Sequence, residues 1–194
     1  MSDSRPKKPR RRWLQFSLRT FFVVLTVFCV WLGVVVHRAH EQRKAVAWVE
    51  EMGGTVYYGY EFDEDINAIV DAEPPGPKLL RESLGDDYFQ DVRAVYFLFT
   101  PVSDLTPLAG LKNIQYLDFS STEVRDVTAL AGLTKLRWLH LSNTQVGNLT
   151  PLAGLQNLQV LSIENTPVGK EQVEELRQAL PNCEIIWSPP APSP

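Results

Sequence analysis

The sequence predicts an α/β solenoid, in which short parallel strands stack side by side, and two observations lead to this fold class. First, a 22-residue unit recurs in the second half of the chain with the apolar spacing L-x-x-L-x-x-L-x-x-L-x-L. Full copies are Val102–Glu123, Val124–Gln145 and Val146–Pro167, and a degenerate copy precedes them at Leu80–Pro101. Second, a single apolar run near the N-terminus predicts one transmembrane helix before the repeats.

A repeat of this period and spacing is the signature of a leucine-rich repeat. Each unit opens a short helical segment at a hydroxyl residue, and Thr106 and Thr150, each followed by proline, are predicted N-caps. A strand with apolar residues on its inner face follows. Adding 22 to each core position predicts about five parallel strands, capped at both ends. Their central core residues are Val95, Leu117, Leu139, Leu161 and Cys183.

The predicted organisation assigns every part of the chain a role, because a solenoid needs caps over its end repeats. In the caps, the sequence predicts a strand at Thr55–Phe62, an amphipathic helix at Lys78–Gln90 and a helix at Lys170–Ala179 with Val173 and Leu176 inward. In chain order we expect a basic disordered cytoplasmic tail (1–12), a transmembrane signal-anchor helix (13–38), a juxtamembrane helix and N-terminal cap (39–90), leucine-rich repeats (91–167), a C-terminal cap (168–188) and a disordered tail (189–194).

The charge distribution predicts the topology. Residues 1–44 hold ten Lys and Arg against two acidic residues, whereas the remainder holds nine against 21. Most of the basic residues precede the apolar run Thr20–Val36, the predicted contact with the lipid bilayer. The positive-inside rule therefore places the N-terminus in the cytoplasm and the repeats on the periplasmic or external side of the inner membrane. A cleaved signal peptide is the alternative, although Ala39, with His37 two residues earlier, is not a small-residue cleavage site.

The face of the sheet opposite the core is the predicted binding surface, expected to be concave. Exposed aromatic residues beside arginine are typical of binding hot spots, whereas cross-strand aromatic pairs that only stabilise the sheet are the alternative. We expect an unknown protein or envelope polymer as partner and no nucleic acid, since topology accounts for the basic residues. The predicted binding residues are Tyr96, Tyr116, Asp118, Arg137, Trp138 and His140.

Two other residue groups contain side chains that could carry out chemistry. Asp118, His140 and Ser162 are 22 residues apart and so lie side by side, as a hydrolase triad would require. The strand N–H groups are committed to the sheet, however, so no oxyanion hole is evident, and we predict a protein without catalytic residues. His37, His40 and Glu41 share one helix face, but a polar turn at the headgroup level explains them, so no metal or cofactor is predicted. A passive structural spacer is a further alternative.

The repeats resemble the 22-residue class of internalin-type proteins, for which LTPLAGLKNLQYLDLSNTQV is near the consensus. That family commonly has an asparagine after the strand, where this chain has Thr100, Thr122, Thr144 and Thr166. A threonine hydroxyl is expected to bond the turn backbone instead. The whole chain resembles small membrane-anchored leucine-rich repeat proteins of planctomycete bacteria, which implies this architecture and no particular activity. The matching stretches are Arg11–Thr20, Gln42–Tyr57, Leu84–Val92 and Leu180–Cys183.

Overall fold

The computed structural model describes residues 18–61, 75, 78, 90–97 and 99–189. These residues fall into two compact units, one ending at Val36 and the other beginning at His37. The described elements are helices α1 (Leu18–Glu51) and α2 (Lys170–Ala179), 3-10 helices η1 (Thr106–Gly110), η2 (Thr128–Gly132) and η3 (Thr150–Leu152), and strands β1 (Thr55–Tyr58), β2 (Val92–Tyr96), β3 (Tyr116–Asp118), β4 (Trp138–His140), β5 (Val160–Ser162) and β6 (Glu184–Ile186).

The first unit contains the apolar part of α1. Its large side chains are solvent-exposed, including Phe21, Phe28 and Trp31. In a helix, such all-round exposure of apolar side chains is typical of a segment that lies in lipid. The stretch from Arg19 to Glu51 is long and apolar enough to cross a membrane by length and composition, a test that a signal sequence also passes.

The second unit is built on one six-stranded sheet whose strands follow each other in chain order. Strands β2 to β6 are parallel, which confirms the predicted solenoid of five parallel strands. Val95, Leu117, Leu139 and Leu161 align across neighbouring strands and have no exposed surface. This inner face and the 3-10 helices behind it enclose one continuous apolar core.

The register of the last strand differs from the prediction. Leu161 of β5 pairs with Ile185, so Cys183 precedes β6 and is only half-buried. The prediction that Cys183 occupies the core position of the last repeat is therefore wrong. The reason is α2, whose ten residues replace the short 3-10 helix of the earlier repeats and lengthen the last unit to 24 residues between Leu161 and Ile185.

Both ends of the core are covered. At the N-terminal end, Val46 and Val49 of α1 are buried in the same cluster as Phe97, and β1 pairs antiparallel with β2. Gly53 ends α1 with a φ of 77°, a left-handed conformation that suits glycine. The strand predicted over Thr55–Phe62 is shorter than expected, and the helix predicted over Lys78–Gln90 lies outside the described residues apart from Lys78 and Gln90.

The helix predicted after the last repeat is confirmed. Helix α2 begins at Lys170 and ends at Ala179, as the sequence indicates, and Val173 and Leu176 are buried against the last repeats. Because these two positions are three residues apart, they share one face of the helix. The remaining α2 positions are predominantly polar, so the helix closes the core with its inner face and presents a hydrophilic surface to solvent.

The 3-10 helices are capped by a different residue from the predicted one. Thr106 and Thr150 are the first residues of η1 and η3, and their side chains do not cap. The cap is the carboxylate or amide two residues earlier: Asp104 Oδ1 accepts the Thr106 N–H at 2.9 Å, and Asn148 Oδ1 accepts the Thr150 N–H at 3.0 Å. Asp126 Oδ1 accepts the Thr128 N–H in the same way, so this side-chain cap is present in all three repeats.

Three of the four threonines after the strands bond the turn backbone, as expected, whereas the buried Thr100 Oγ1 has no hydrogen-bond partner among the described residues. Thr122 Oγ1 donates to the Phe119 carbonyl at 2.6 Å, Thr144 Oγ1 to Leu141 at 2.7 Å, and Thr166 Oγ1 to Ile163 at 2.8 Å. All three are buried, so each hydroxyl needs its partner. The residue before each threonine has a left-handed backbone, a set that comprises Phe99, Ser121, Asn143 and Asn165.

Candidate binding face

Aromatic side chains from four adjacent strands form a contiguous row on the sheet face opposite the core. The rings of Tyr96 on β2 and Tyr116 on β3 stack with centroids 4.8 Å apart, and His140 on β4 follows at 5.3 Å from Tyr116. Tyr57 on β1 meets Tyr96 edge-on at 5.4 Å. With Trp138 of β4 added, we call Tyr57, Tyr96, Tyr116, Trp138 and His140 the aromatic face.

The ring of Trp138 packs against Arg137, the residue that precedes it at the start of β4. The Arg137 guanidinium carbon lies 4.3 Å from the centroid of the Trp138 ring, a cation–π contact. Arg137 also donates from Nη2 to Gln159 Oε1 at 3.3 Å. The indole therefore has a fixed neighbour on one side while it remains only half-buried. The arrangement gives the middle of the sheet a large apolar ring beside a positive charge.

Two tyrosines of the face, Tyr96 and Tyr116, have a raised pKa, which favours their neutral form. Burial is the main cause that raises the pKa of Tyr116, and the nearby negative charge of Asp118 raises it further. Burial likewise raises the pKa of Tyr96, followed by the influence of Tyr57 and of Asp118. Asp118 itself is oriented by the Ser120 N–H, which donates to its Oδ1 at 2.8 Å. The face thus offers hydroxyl donors next to one anchored carboxylate.

The structure places the predicted binding residues on three neighbouring strands. Tyr96, Tyr116 and His140 are in direct ring contact, and Arg137 packs on Trp138. Asp118 pairs in register with Tyr96 and His140, at the strand ends. Sequence reasoning missed one member, Tyr57. The β-branched and aromatic residues of Thr55–Phe62 indicate a strand, but its antiparallel pairing beside β2 lies outside the repeat pattern.

The column Asp118, His140 and Ser162 aligns in register but makes other bonds. Ser162 is 6% exposed and shares a hydrogen bond of 2.7 Å with Ser142 Oγ. Asp118 accepts its bond from the backbone, and the His140 ring packs against Tyr116. Within the part of the chain that the structure describes, no hydrogen bond joins Asp118 to His140 or His140 to Ser162. The arrangement thus lacks the proton relay that a triad needs.

The other candidate groups have local partners. Glu41 Oε1 accepts a hydrogen bond from Lys44 Nζ at 2.9 Å, and this bond is the main cause that lowers the pKa of Glu41. Among the described residues, no group of three or more His, Cys, Asp or Glu side chains could hold a metal ion. A cavity of about 100 Å³ lies between η3 and α2, lined by Leu149, Thr150 and Gln172 among others. It is smaller than the roughly 300–1,000 Å³ of typical small-molecule sites.

The comparisons with known proteins agree with the repeat assignment. A family model described as "Leucine Rich repeats (2 copies)" matches residues 134–178. No protein among the curated sequences matches the chain. The fold is that of a leucine-rich repeat array with an apolar N-terminal helix.

Solved structures of leucine-rich repeat proteins are among the structural neighbours. An internalin from Listeria monocytogenes shares 28% identity over 45% of this chain and 26% of its own, with a TM-score of 0.43. Internalin C2 from the same species shares 26% identity over 68% of this chain and 60% of its own, with a TM-score of 0.46. The leucine-rich repeat ectodomain of the Arabidopsis thaliana receptor kinase GASSHO1/SCHENGEN3, solved in complex with CASPARIAN STRIP INTEGRITY FACTOR 2, shares 24% identity over 54% of this chain and 14% of its own, with a TM-score of 0.41. The chain spans less than two thirds of the length of each of these three proteins.

Proposed function

We propose that this chain is a single-pass membrane protein that displays its repeats as a non-catalytic binding module for a protein at the cell envelope. The observation that carries the proposal is the aromatic face, in which Tyr57, Tyr96, Tyr116 and His140 form a row of rings with spacings of 4.8 to 5.4 Å. Tyrosine, tryptophan and arginine are the residue types most enriched at binding hot spots. Here they lie together in the middle of a regular sheet.

The physical case for binding is that these side chains are already ordered. Ring stacking and the Arg137–Trp138 contact fix the aromatic side chains before a partner arrives, so association loses less side-chain entropy. Neutral tyrosine hydroxyls and the Asp118 carboxylate supply polar contacts around the rings. In a passive spacer, the same stacking would only stabilise the sheet. Removal of a ring would then lower stability, whereas in a binding module it would lower the affinity for the partner.

Trp138→Ala tests this difference. If the face binds a protein, the variant should weaken binding by about 2 kcal/mol or more, measured as retention of an envelope partner by the purified full chain. Its circular dichroism should be unchanged, because the indole lies opposite the core. Phe99→Asn is the matched control: it removes an aromatic ring that is 83% exposed in the turn after β2 and installs the residue found in two of the three equivalent turns. Equal loss of binding in both variants would contradict the proposed site.

The membrane part of the proposal is carried by the apolar side chains of α1, which lie exposed from Phe21 to Val36. Seventeen residues over Thr20–Val36 rise about 25 Å as a helix, close to the ~30 Å hydrocarbon core. The chain should resist carbonate extraction, and added protease should spare the repeats in inside-out vesicles. Release by carbonate would exclude the anchor, and digestion of the repeats in those vesicles would reverse the topology. A shortened mature protein would instead identify a cleaved leader.

A further inference from the structure

One edge of the repeat array carries a disproportionately large share of the positive charge. Three turns lead into β3, β4 and β5, at residues 110–115, 132–137 and 154–159, and we call them the strand-start rim. The rim contains Lys112, Lys135 and Arg137, and Arg93 occupies the equivalent place in β2. These are four of the nine basic residues after position 44, whereas none of the 21 acidic residues of that region falls in the rim.

The side chains of the two rim lysines, Lys112 and Lys135, extend towards each other's turns. A Cβ added to Gly132 would lie 2.8 Å from Lys112 Nζ, so this ammonium group reaches forward over the second turn. Lys135 Nζ reaches backward and donates to Asn113 Oδ1 at 2.6 Å. Both lysines are exposed. Two positive charges are therefore concentrated between the first and second turns without a carboxylate in either turn.

The same edge adjoins the part of α1 that follows the apolar run. Gln42 Nε2 donates to the Gln90 carbonyl at 2.6 Å, and a Cβ on Gly110 would lie 3.9 Å from the Glu41 Cβ. Among the described residues, two acids near this edge are already paired: Arg38 Nη2 lies 3.9 Å from Asp91 Oδ1, and Lys44 bonds Glu41. The charges of these two carboxylates are thus offset by cations of the helix rather than by the rim lysines.

We propose that the strand-start rim docks on anionic phospholipid headgroups. The proposal rests on the membrane anchor proposed above, in which Val36 is the last apolar residue, so Arg38 and Glu41 lie at headgroup level. Glu41 follows Val36 by only five residues, and Gly110, whose added Cβ would lie 3.9 Å from the Glu41 Cβ, belongs to the rim. The rim is therefore the edge of the array next to the residues that follow the membrane segment, and each of its cations is attracted to an anionic lipid surface. Contact there orients the repeats relative to the bilayer and leaves the aromatic face accessible.

Lysine acylation in vesicles tests the docking. The full chain is reconstituted into phosphatidylcholine vesicles, with or without phosphatidylglycerol, and treated with a membrane-impermeant amine reagent. Mass spectrometry then gives the acetylation rate of each lysine. Lys112 and Lys135 should react about fivefold more slowly in the anionic vesicles, which corresponds to about 1 kcal/mol per cation. Lys170 is the internal control, because it begins α2 after the opposite, strand-end edge of the sheet. Its rate should be the same in both lipids.

Two further measurements complete the test. High salt should remove the protection of Lys112, because screening weakens exposed charge interactions. Lys135→Glu should also reduce protection of Lys112, whereas Lys170→Glu should leave it unchanged. Equal rates in both lipids for a chain that resists carbonate would overturn the rim proposal and leave the anchor standing. Release by carbonate would overturn both, so the two failures are distinguishable.

Discussion

The central core residue of the array offers the sharpest stability prediction. Leu139 has no exposed surface and pairs in register with Leu117 on one side and Leu161 on the other. Leu139→Ala removes three buried carbon groups, and burying each of them contributes about 0.8 kcal/mol to stability. It also leaves a cavity that the repeats on either side cannot fill by shifting. The expected loss of unfolding free energy is therefore about 2–5 kcal/mol. Domains of roughly this size are stable by about 5–15 kcal/mol, so the variant should be close to unfolding.

Urea unfolding of the full chain in detergent, followed by near-ultraviolet circular dichroism, measures this loss. Glu164→Ala is the control, because the residue is exposed and its substitution should change stability by at most about 0.5 kcal/mol. Ile185→Ala should be milder than Leu139→Ala, because Ile185 belongs to the terminal strand and has a repeat on one side only. A loss below about 1 kcal/mol for Leu139→Ala would refute the reasoning that one continuous core couples the repeats.

Three further outcomes follow from individual side chains. Burial, aided by the adjacent Glu184 carboxylate, raises the pKa of Cys183 to about 11, so the thiol should react slowly with a disulfide reagent at neutral pH and faster in Glu184→Gln. The raised pKa of Tyr116 means that the folded chain keeps its neutral hydroxyl while the unfolded chain ionises from about pH 10. Unfolding free energy should therefore fall as pH rises above that value, and less so in Tyr116→Phe, as urea midpoints at pH 9 and 11 would show. A fluorophosphonate probe should leave Ser162 unlabelled, and labelling that His140→Ala abolishes would contradict the assignment as a non-enzyme.

The strands and the core could be predicted because the same pattern of apolar residues recurs in every repeat. Each 22-residue copy places a leucine at the position that becomes Leu117, Leu139 or Leu161, and parallel stacking brings equal positions into register. The turn bonds of Thr122, Thr144 and Thr166 were predictable for the same reason, since buried hydroxyls are generally hydrogen-bonded. Thr100 is the exception, because its buried hydroxyl has no partner among the described residues. The 22-residue period predicts the register of a strand only where the repeat length stays at 22 residues.

The register of β6 could not be read from the period because the last connection is different. An α-helix rises 1.5 Å per residue, whereas a 3-10 helix rises about 2.0 Å, so α2 needs more residues than η1 to cover the same edge of the core. The sequence does predict α2, and its length is the signal that the last unit exceeds 22 residues. Ile185 then takes the position at which the period places Cys183.

The aromatic face was predicted in part. Alternation along β3 and β4 places Tyr116, Trp138 and His140 opposite the core, and repetition aligns them. Tyr57 was not predictable as a member, because an antiparallel strand outside the repeats has no fixed register with β2 in the sequence pattern. The charge of the rim was visible in the sequence, but only the structure shows that Lys112 reaches towards the second turn and Lys135 towards the first.

Site-specific photo-crosslinking tests the central claim, that the aromatic face binds a partner protein, most directly. A photoreactive phenylalanine analogue is placed in the full chain at Trp138, or at Ala153 on the opposite side of the core beside η3, and the chain is irradiated in its native envelope. Our account predicts a discrete protein adduct from position 138 that is absent from position 153. An adduct from position 153 alone would contradict it and place the binding surface behind the core.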